Sequence, residues 1–315
     1  MAERGYGDLT VQQQMAQILD GKLVAAQVRD RLKSRVEELV RDGHRLPGLA
    51  VVLIGDNPAS HVYVKNKIQA CKKVGIESRL YQFPSQVGAQ EVYACLGELN
   101  RDTAVDGILV QLPLPGHLPT DSLLAAVLPG KDVDGLHPQN LGLLLSGKPG
   151  LRPCTPQGIM VLLEHYHLSL AGKRAVVIGR SNLVGKPIAM MLLEKNATVT
   201  ICHSKSERLD EIARTADVLV VAAGKECLVR GAWIKPGAVV VDVGIHKRAR
   251  EPGADVNVLQ EEAQLVGDVD FQESARVASY ITPVPGGVGP MTVAMLLSNT
   301  LIAYQEHIML RDGRP

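Results

Sequence analysis

Unbroken apolar runs and helix-period patterns alternate along the first half of the chain. Leu23, Val28, Leu32, Val36 and Leu39 recur at helical spacing with polar residues between them, and Gly43 and Pro47 stop that helix. Residues 49–54 form a short continuous apolar run of the kind a parallel strand shows. Pro58 opens a helix that closes at Gly75, another spans about residues 89–99, and a strand follows over 107–112. Around residues 147–156 the chain is dense in Gly and Pro, which reads as a domain joint. Strands then recur at 174–179, 198–202, 217–222, 238–243 and 278–281; a Pro/Gly-dense stretch over 282–290 leads into a last helix over about 291–306. Helices alternating with apolar strands predict an α/β fold with parallel sheets.

Composition narrows the function classes. A length of 315 residues suffices for about two domains. A net charge of +1 gives no electrostatic case for nucleic acid or an anionic membrane, and 3% aromatics offer few platforms for stacking bases. No apolar run approaches the ~18 residues of a membrane span. The first residues lack the marks of a secretory or transit peptide, and residues up to about Gln17 read as a disordered extension. Five scattered cysteines without a CxxC pattern read as reduced thiols of a cytoplasmic protein. His165 and His167 read as a surface pair, and no zinc-ligand spacing is present.

The strand over 174–179 runs into Gly179-Arg180-Ser181, and Gly185 then opens a helical pattern. Such a strand–turn–helix aims backbone N–H groups and a positive helix end at an anion, as dinucleotide sites do. Five residues separate the two glycines, so the spacing is not GxGxxG, and a plain tight turn remains an alternative. The next strand ends Cys202-His203-Ser204-Lys205, with none of the carboxylates that accept from the ribose hydroxyls of NAD. Hydroxyl and ammonium donors there, with the Arg180 guanidinium, favour the 2′-phosphate of NADP.

The helix opened by Pro58 carries a lysine on an unexpected face. At about 100° per residue, Lys67 falls about 40° from Tyr63, on an arc with Ser60, Ala70 and Val74. Lys65, Lys72 and Lys73 fall on the opposite, solvated side. A lysine withdrawn from water is suited to proton transfer near neutral pH, and Tyr63, one turn away, can hydrogen-bond to it or to a substrate. The bland alternative is a snorkelling side chain. Gln111 stands at the carboxyl end of a strand, where ligands of parallel sheets bind. Asp132 and Asp134 lie in a turn, where Asp also serves simply as a cap.

These segments resemble the methylenetetrahydrofolate dehydrogenase/cyclohydrolase family. The resemblance rests on residues 63–67, 106–115, 131–135, 179–187 and 281–292, within a similarity running from about Ile18 to Glu306. It implies NADP-dependent oxidation of 5,10-methylenetetrahydrofolate to the methenyl form, then hydrolysis to 10-formyltetrahydrofolate in the same cleft. By matching motif, Lys67 is the proton-transferring residue, Tyr63 its positioning partner, Gln111 the group orienting the amine or water, and Asp134 the holder of the pterin. Val110, Gln111, Leu112, Pro285, Gly286, Gly287, Val288 and Gly289 line the folate cleft; Gly179, Arg180, Ser181, Gly185, Ser204 and Ile245 contact NADP. No metal is required.

The resemblance further implies a catalytic α/β domain with a parallel sheet over residues 1–155 plus 291–315, an NADP-binding Rossmann domain over 156–290, and a homodimer. Two departures stand out: the N-terminal extension, and a stretch over 248–264 that reads as a surface insertion. Three alternatives stay open. A monofunctional or NAD-using dehydrogenase is one, a shikimate-dehydrogenase-like enzyme another, and a non-catalytic NADP-binding module the third.

Overall fold

Both faces of the apolar run near residue 50 are covered, because it becomes the middle strand of a sheet. The computed structural model describes residues 15–248 and 264–311. Its first half comprises β1 (Gln17–Ile18), α1 (Gly21–Arg41), β2 (Gly48–Ile54), α2 (Pro58–Val74), β3 (Glu77–Phe83), α3 (Ala89–Arg101) and β4 (Gly107–Val110). Short helices α4 (Thr120–Ala125) and α5 (Pro138–Leu145) lead to α6 (Cys154–His165). The second half comprises β5 (Arg174–Ile178), α7 (Gly185–Glu194), β6 (Thr198–Cys202), α8 (Leu209–Ala213), β7 (Val218–Val221) and β8 (Val239–Asp242). Then come β9 (His246–Arg248), β10 (Gln264–Val266), α9 (Phe271–Ser274), β11 (Tyr280–Ile281) and α10 (Val288–Arg311).

The strands form a parallel three-stranded sheet, β3-β2-β4, and a parallel six-stranded sheet, β1-β11-β8-β7-β5-β6. The side on which successive strands are added reverses at β2 in the first sheet and at β5 in the second. A crevice opens there at the strands' carboxyl ends, where parallel sheets bind ligands. β3 was not foreseen: its residues alternate in exposure along a sheet edge, so no unbroken apolar run marks it.

Local chemistry explains the helix ends. Asp20 caps α1 by accepting the Leu23 N–H, and Asn57 caps α2 by accepting those of Ala59 and Ser60. The expected apolar stripe of α1 shifts at its start: Leu23 is exposed, while Val24 and Ala25 are buried. The contact of Gly21 and Lys22 with the 282–290 stretch sets that phase, through the Lys22 N–H to the Gly286 carbonyl (3.0 Å).

The terminal helix α10 buries Met291, Ala294, Met295, Leu297, Leu301 and Tyr304, packing on α1 and α6 and reaching α2 and β4. Near its end the Tyr304 hydroxyl donates to the Arg45 carbonyl, and Arg45 and His307 both pair with buried Asp106. Burial alone would push the Asp106 carboxyl up, yet Arg45, His307 and the Gly48 N–H hold it below the usual carboxylate range.

The extension expected to be disordered up to about Gln17 ends sooner. The Ala16 N–H donates to the Ala275 carbonyl, and Gln17 pairs with Tyr280 in the larger sheet; residues before Met15 lie outside those described. Of the insertion expected over 248–264, residues 249–263 also lie outside them, while its flanks, β9 and β10, pair antiparallel.

Candidate active site

Lys67 is the most telling residue of α2. Its side chain is only 9% exposed, and its Nζ donates to Gln111 Oε1 at 2.9 Å. Its solvated neighbours Lys65, Lys72 and Lys73 are exposed. The side-chain amide of Gln111 donates in turn to the Leu112 carbonyl (2.6 Å), so Gln111 presents only its oxygen to the amine. A buried ammonium meeting one neutral oxygen is left with N–H groups for a ligand.

These two residues line a cavity of about 160 Å³ with Val110, Leu112 and the half-buried Asp134. Leu183, from the turn after Gly179, closes the same cavity, so both sheets contribute to it. Cys154, Thr155 and Thr292 also line it, and the two threonine hydroxyls lie 2.9 Å apart. Sequence reasoning missed all three; Thr155 lies within the Gly/Pro-rich joint over 147–156, the one signal available. Cys154 is no nucleophile there, because burial pushes its thiol well above the ordinary range. Asp132, the other acid of the turn, is structural. It accepts from the His137 N–H and the Asn140 amide, and burial pushes its carboxyl up.

Tyr63 stands elsewhere. It is 42% exposed and faces a neighbouring cleft of about 410 Å³, and its hydroxyl makes no bond to Lys67 among the described residues. That cleft is lined by Ile245 and by Pro285, Gly286, Gly287, Val288 and Gly289. The two cavities share α2 and flank the first turns of α10. Gly286 adopts φ +114°, a conformation that only glycine takes without strain, and there it meets the start of α1. The peptide bonds Leu112–Pro113 and Val284–Pro285 are cis.

At the carboxyl end of β5, Gly179 has φ +131°, and a Cβ on it would strike the Ala222 carbonyl. A Cβ on Gly185 would strike Gly179 itself, so both glycines are needed for this close turn. The sequence pattern suggested amides free for an anion, and the structure differs. Ser181 Oγ accepts from the Val184 and Gly185 N–H groups, and the Ser181 carbonyl accepts that of Lys186. Arg180 and Ser181 remain exposed beside the turn, and Ser204 and Lys205 are exposed at the end of β6. A closely packed glycine turn with cationic and hydroxyl side chains, and no acid on the β6 side, fits a phosphorylated dinucleotide.

A carboxylate pair missed in the sequence braces the neighbouring loops. Asp242, ending β8, accepts the N–H groups of Gly244, Asp268 and Val269, each at 2.9 Å. Asp268 accepts from Ala223 and Gly224 and pairs with His246 at 2.7 Å. Burial pushes Asp242 up to about 6, against the pull of the three N–H donors and with a further push from the Asp268 carboxylate. These contacts tie the loops after β7 and β8 together, fixing the loop that carries Ile245. Among the described residues there is no cluster of side chains able to hold a metal ion.

Comparison with known proteins points one way. The family model described as tetrahydrofolate dehydrogenase/cyclohydrolase, catalytic domain, matches residues 19–134, and that of the NAD(P)-binding domain matches 153–308. The bifunctional protein FolD of Prochlorococcus marinus is 53% identical over 299 residues, covering 95% of this chain and 98% of that protein. Among solved structures, the bifunctional FolD of Campylobacter jejuni is 46% identical with a TM-score of 0.86, covering 92% of this chain and 99% of its own. The Trypanosoma brucei methylenetetrahydrofolate dehydrogenase-cyclohydrolase, solved with NADP cofactor and inhibitor, is 38% identical with a TM-score of 0.87, covering 93% and 99%.

Proposed function

Because the chain belongs to the tetrahydrofolate dehydrogenase/cyclohydrolase family, we propose that the crevice between its two sheets carries both of that family's reactions. The enzyme is a bifunctional NADP-dependent methylenetetrahydrofolate dehydrogenase and methenyltetrahydrofolate cyclohydrolase. The observation that carries the one-cleft reading is buried Lys67, held on Gln111 in a cavity that Leu183 of the nucleotide-side turn closes.

NADP, when bound, supplies the hydride acceptor. The protein's part in that first step is orientation and exclusion of water. Gly179 and Gly185 would let the backbone come close to the dinucleotide, and Arg180, Ser181 and Ser204 would hold its phosphates and ribose. Ile245, which lines the neighbouring cleft, would contact the cofactor. Asp134 accepts from the pterin's N–H donors, while Val110, Leu112 and the segment from Pro285 to Gly289 shape the folate cleft and Tyr63 flanks the ligand's aromatic portion.

Loss of hydride leaves the one-carbon bridge as an electrophilic iminium. Water adds to that carbon, and the bond from the carbon to the ring nitrogen then breaks. One proton of the water ends on the departing nitrogen and the other is released. Lys67 carries the proton at Nζ between oxygen and nitrogen, with Gln111 fixing the amine's direction.

The domain assignment follows the same reading: residues 1–155 with 291–315 form the catalytic domain and 156–290 the NADP-binding domain, whose last residues, Pro285 to Gly289, reach the folate cleft. The packing of α10 on α1, α2 and β4 supports the return of the last segment to the first domain. A cytoplasmic homodimer completes the proposal. The exposed edge strand β3, with Leu80 in the open, is a surface suited to pairing with a second copy. Light scattering on the purified protein tests it, a single-chain mass counting against the dimer.

The function is tested by following absorbance with NADP and with NAD in parallel. The expected result is folate-dependent NADPH formation, then methenyl decay faster than the spontaneous rate. NADPH formation with methenyl decaying only spontaneously would refute the cyclohydrolase role.

A further inference from the structure

Hydrolysis sets a demand that Lys67 alone does not meet. The attacking water has two O–H groups, and Nζ carries the proton of only one to the departing nitrogen. The other O–H also needs an acceptor during the approach, because an unheld water does not keep its lone pair on the carbon. A held water takes two to four polar partners.

Polar side chains lining the 160 Å³ cavity are few: Lys67, Gln111, Asp134, Cys154, Thr155 and Thr292. Most are already engaged. The Gln111 oxygen accepts from Lys67 at 2.9 Å, and Cys154 turns its thiol to the Val133 carbonyl at 3.2 Å. Asp134 is the pterin's partner in the proposed function. That leaves two hydroxyls: Thr155, in the first turn of α6, and Thr292, in the second turn of α10.

The bonding of this pair decides what it offers. The hydroxyls lie 2.9 Å apart, and that of Thr292 donates weakly, at 3.4 Å, to the Val288 carbonyl one turn earlier. With that proton committed, Thr155 donates to Thr292, and the Thr155 oxygen keeps both of its lone pairs. The pair therefore presents an acceptor, the partner that the second O–H requires. A threonine is far too weak a base to take the proton itself, so its part is orientation.

We propose that Thr155, held by Thr292, is a further catalytic residue of the hydrolysis: its oxygen accepts the second O–H of the attacking water and aims that water at the one-carbon bridge. The water oxygen supplies the electron pair of the new C–O bond, while the π pair of the C=N bond returns to nitrogen. One proton passes to Nζ and on to the departing nitrogen, which keeps the electron pair of its broken bond to carbon. The other proton leaves to solvent as the formyl C=O forms. The inference rests on the reading that this cavity holds the bridge. Hydride transfer has no water to aim and makes no use of the contact.

The test compares kcat for methenyl hydrolysis with kcat for NADPH formation, as a ratio, in the wild type and in variants. Thr155→Val keeps the shape and removes the oxygen, and should lower the ratio about tenfold, the factor that one lost orienting hydrogen bond supplies. Thr155→Ser restores the oxygen and should bring the ratio back to within about twofold of the wild type. Thr292→Val, which frees Thr155 to turn, should lower it about threefold, and reads the same contact should Thr155→Val fail to fold. A clamp that merely ties α6 to α10 would depress both reactions together, and a contact to the nicotinamide would depress NADPH formation the more. Either result would overturn the assignment, as would an unchanged ratio in Thr155→Val or a serine variant as poor as the valine one. Lys67→Met, measured alongside, checks the premise: unimpaired hydrolysis there would overturn the reading of the cavity itself, a separate failure.

Discussion

The two crevices are built by different means. At the end of the small sheet, side chains carry the proposed chemistry: Lys67 of α2, Gln111 just beyond β4 and Asp134 of the turn over 131–135 converge on one small cavity. At the end of the large sheet, a closely packed backbone turn shapes the site, with exposed side chains set around it. Gly179 and Gly185 approach so closely that neither tolerates a Cβ, and Ser181 ties the turn to α7. A proton carrier must present a particular atom, so its site depends on one residue. A dinucleotide is long and is held through many contacts, so its site spreads over a turn and several side chains. Substitutions at the small sheet should therefore stop one reaction, and those at the large sheet should retune affinity.

The largest effect is expected at Lys67. Lys67→Met keeps the apolar stem and removes the amine, and should slow methenyl hydrolysis by about 10³-fold. NADP should still bind with an affinity near that of the wild type. Stopped-flow decay of the methenyl absorbance reads the first effect and NADP titration the second; an equal collapse of both would erase the distinction between the crevices.

The brace beneath the nucleotide side yields a pH dependence. The Asp242 carboxyl is raised to about 6 by burial, above its ordinary 3.8, so the folded state holds its proton longer than the unfolded state does. The associated stability is full below about pH 4 and declines as pH rises through about 6, by about 3 kcal/mol in all. Asp242→Asn removes this slope, although it also loses an acceptor and lowers stability at every pH. Urea unfolding between pH 4 and pH 7.5 measures it. A wild type and variant with parallel profiles would contradict the assignment.

A smaller effect is expected at Arg180. Arg180→Ala should weaken NADP binding about tenfold, in line with the loss of a charge-assisted contact to a phosphate, and NAD binding by much less. Isothermal titration with both cofactors decides it, equal losses meaning that Arg180 does not read the 2′-phosphate.

What the sequence made legible follows the same division. Lys67 stood out because a helix has a fixed period, so a lysine out of phase with three solvated ones is visible without coordinates. The parallel strands were visible because burial on both faces leaves an unbroken apolar run, as in β2, β5 and β7. Edge strands lack that mark, which is why β3 was missed. The turn after β5 was recognisable but its amides were misjudged, because which N–H groups a serine satisfies depends on the path of the chain. Thr155 and Thr292 sit 137 residues apart and meet only once α10 packs on α6, so local pattern could not have paired them. Nor could it have shown that Tyr63 and Lys67, one turn apart, face different cavities.

The central claim is that Lys67 stands where nicotinamide and folate meet. A crystal structure of the ternary complex with NADP and an unreactive folate analogue tests it most directly. The account predicts Lys67 Nζ within hydrogen-bond reach, about 3 Å, of the one-carbon bridge and still bonded to Gln111, with the nicotinamide on the bridge's other side. An amine turned away from the bridge, or a folate whose pterin lies outside the Lys67 cavity, would contradict it.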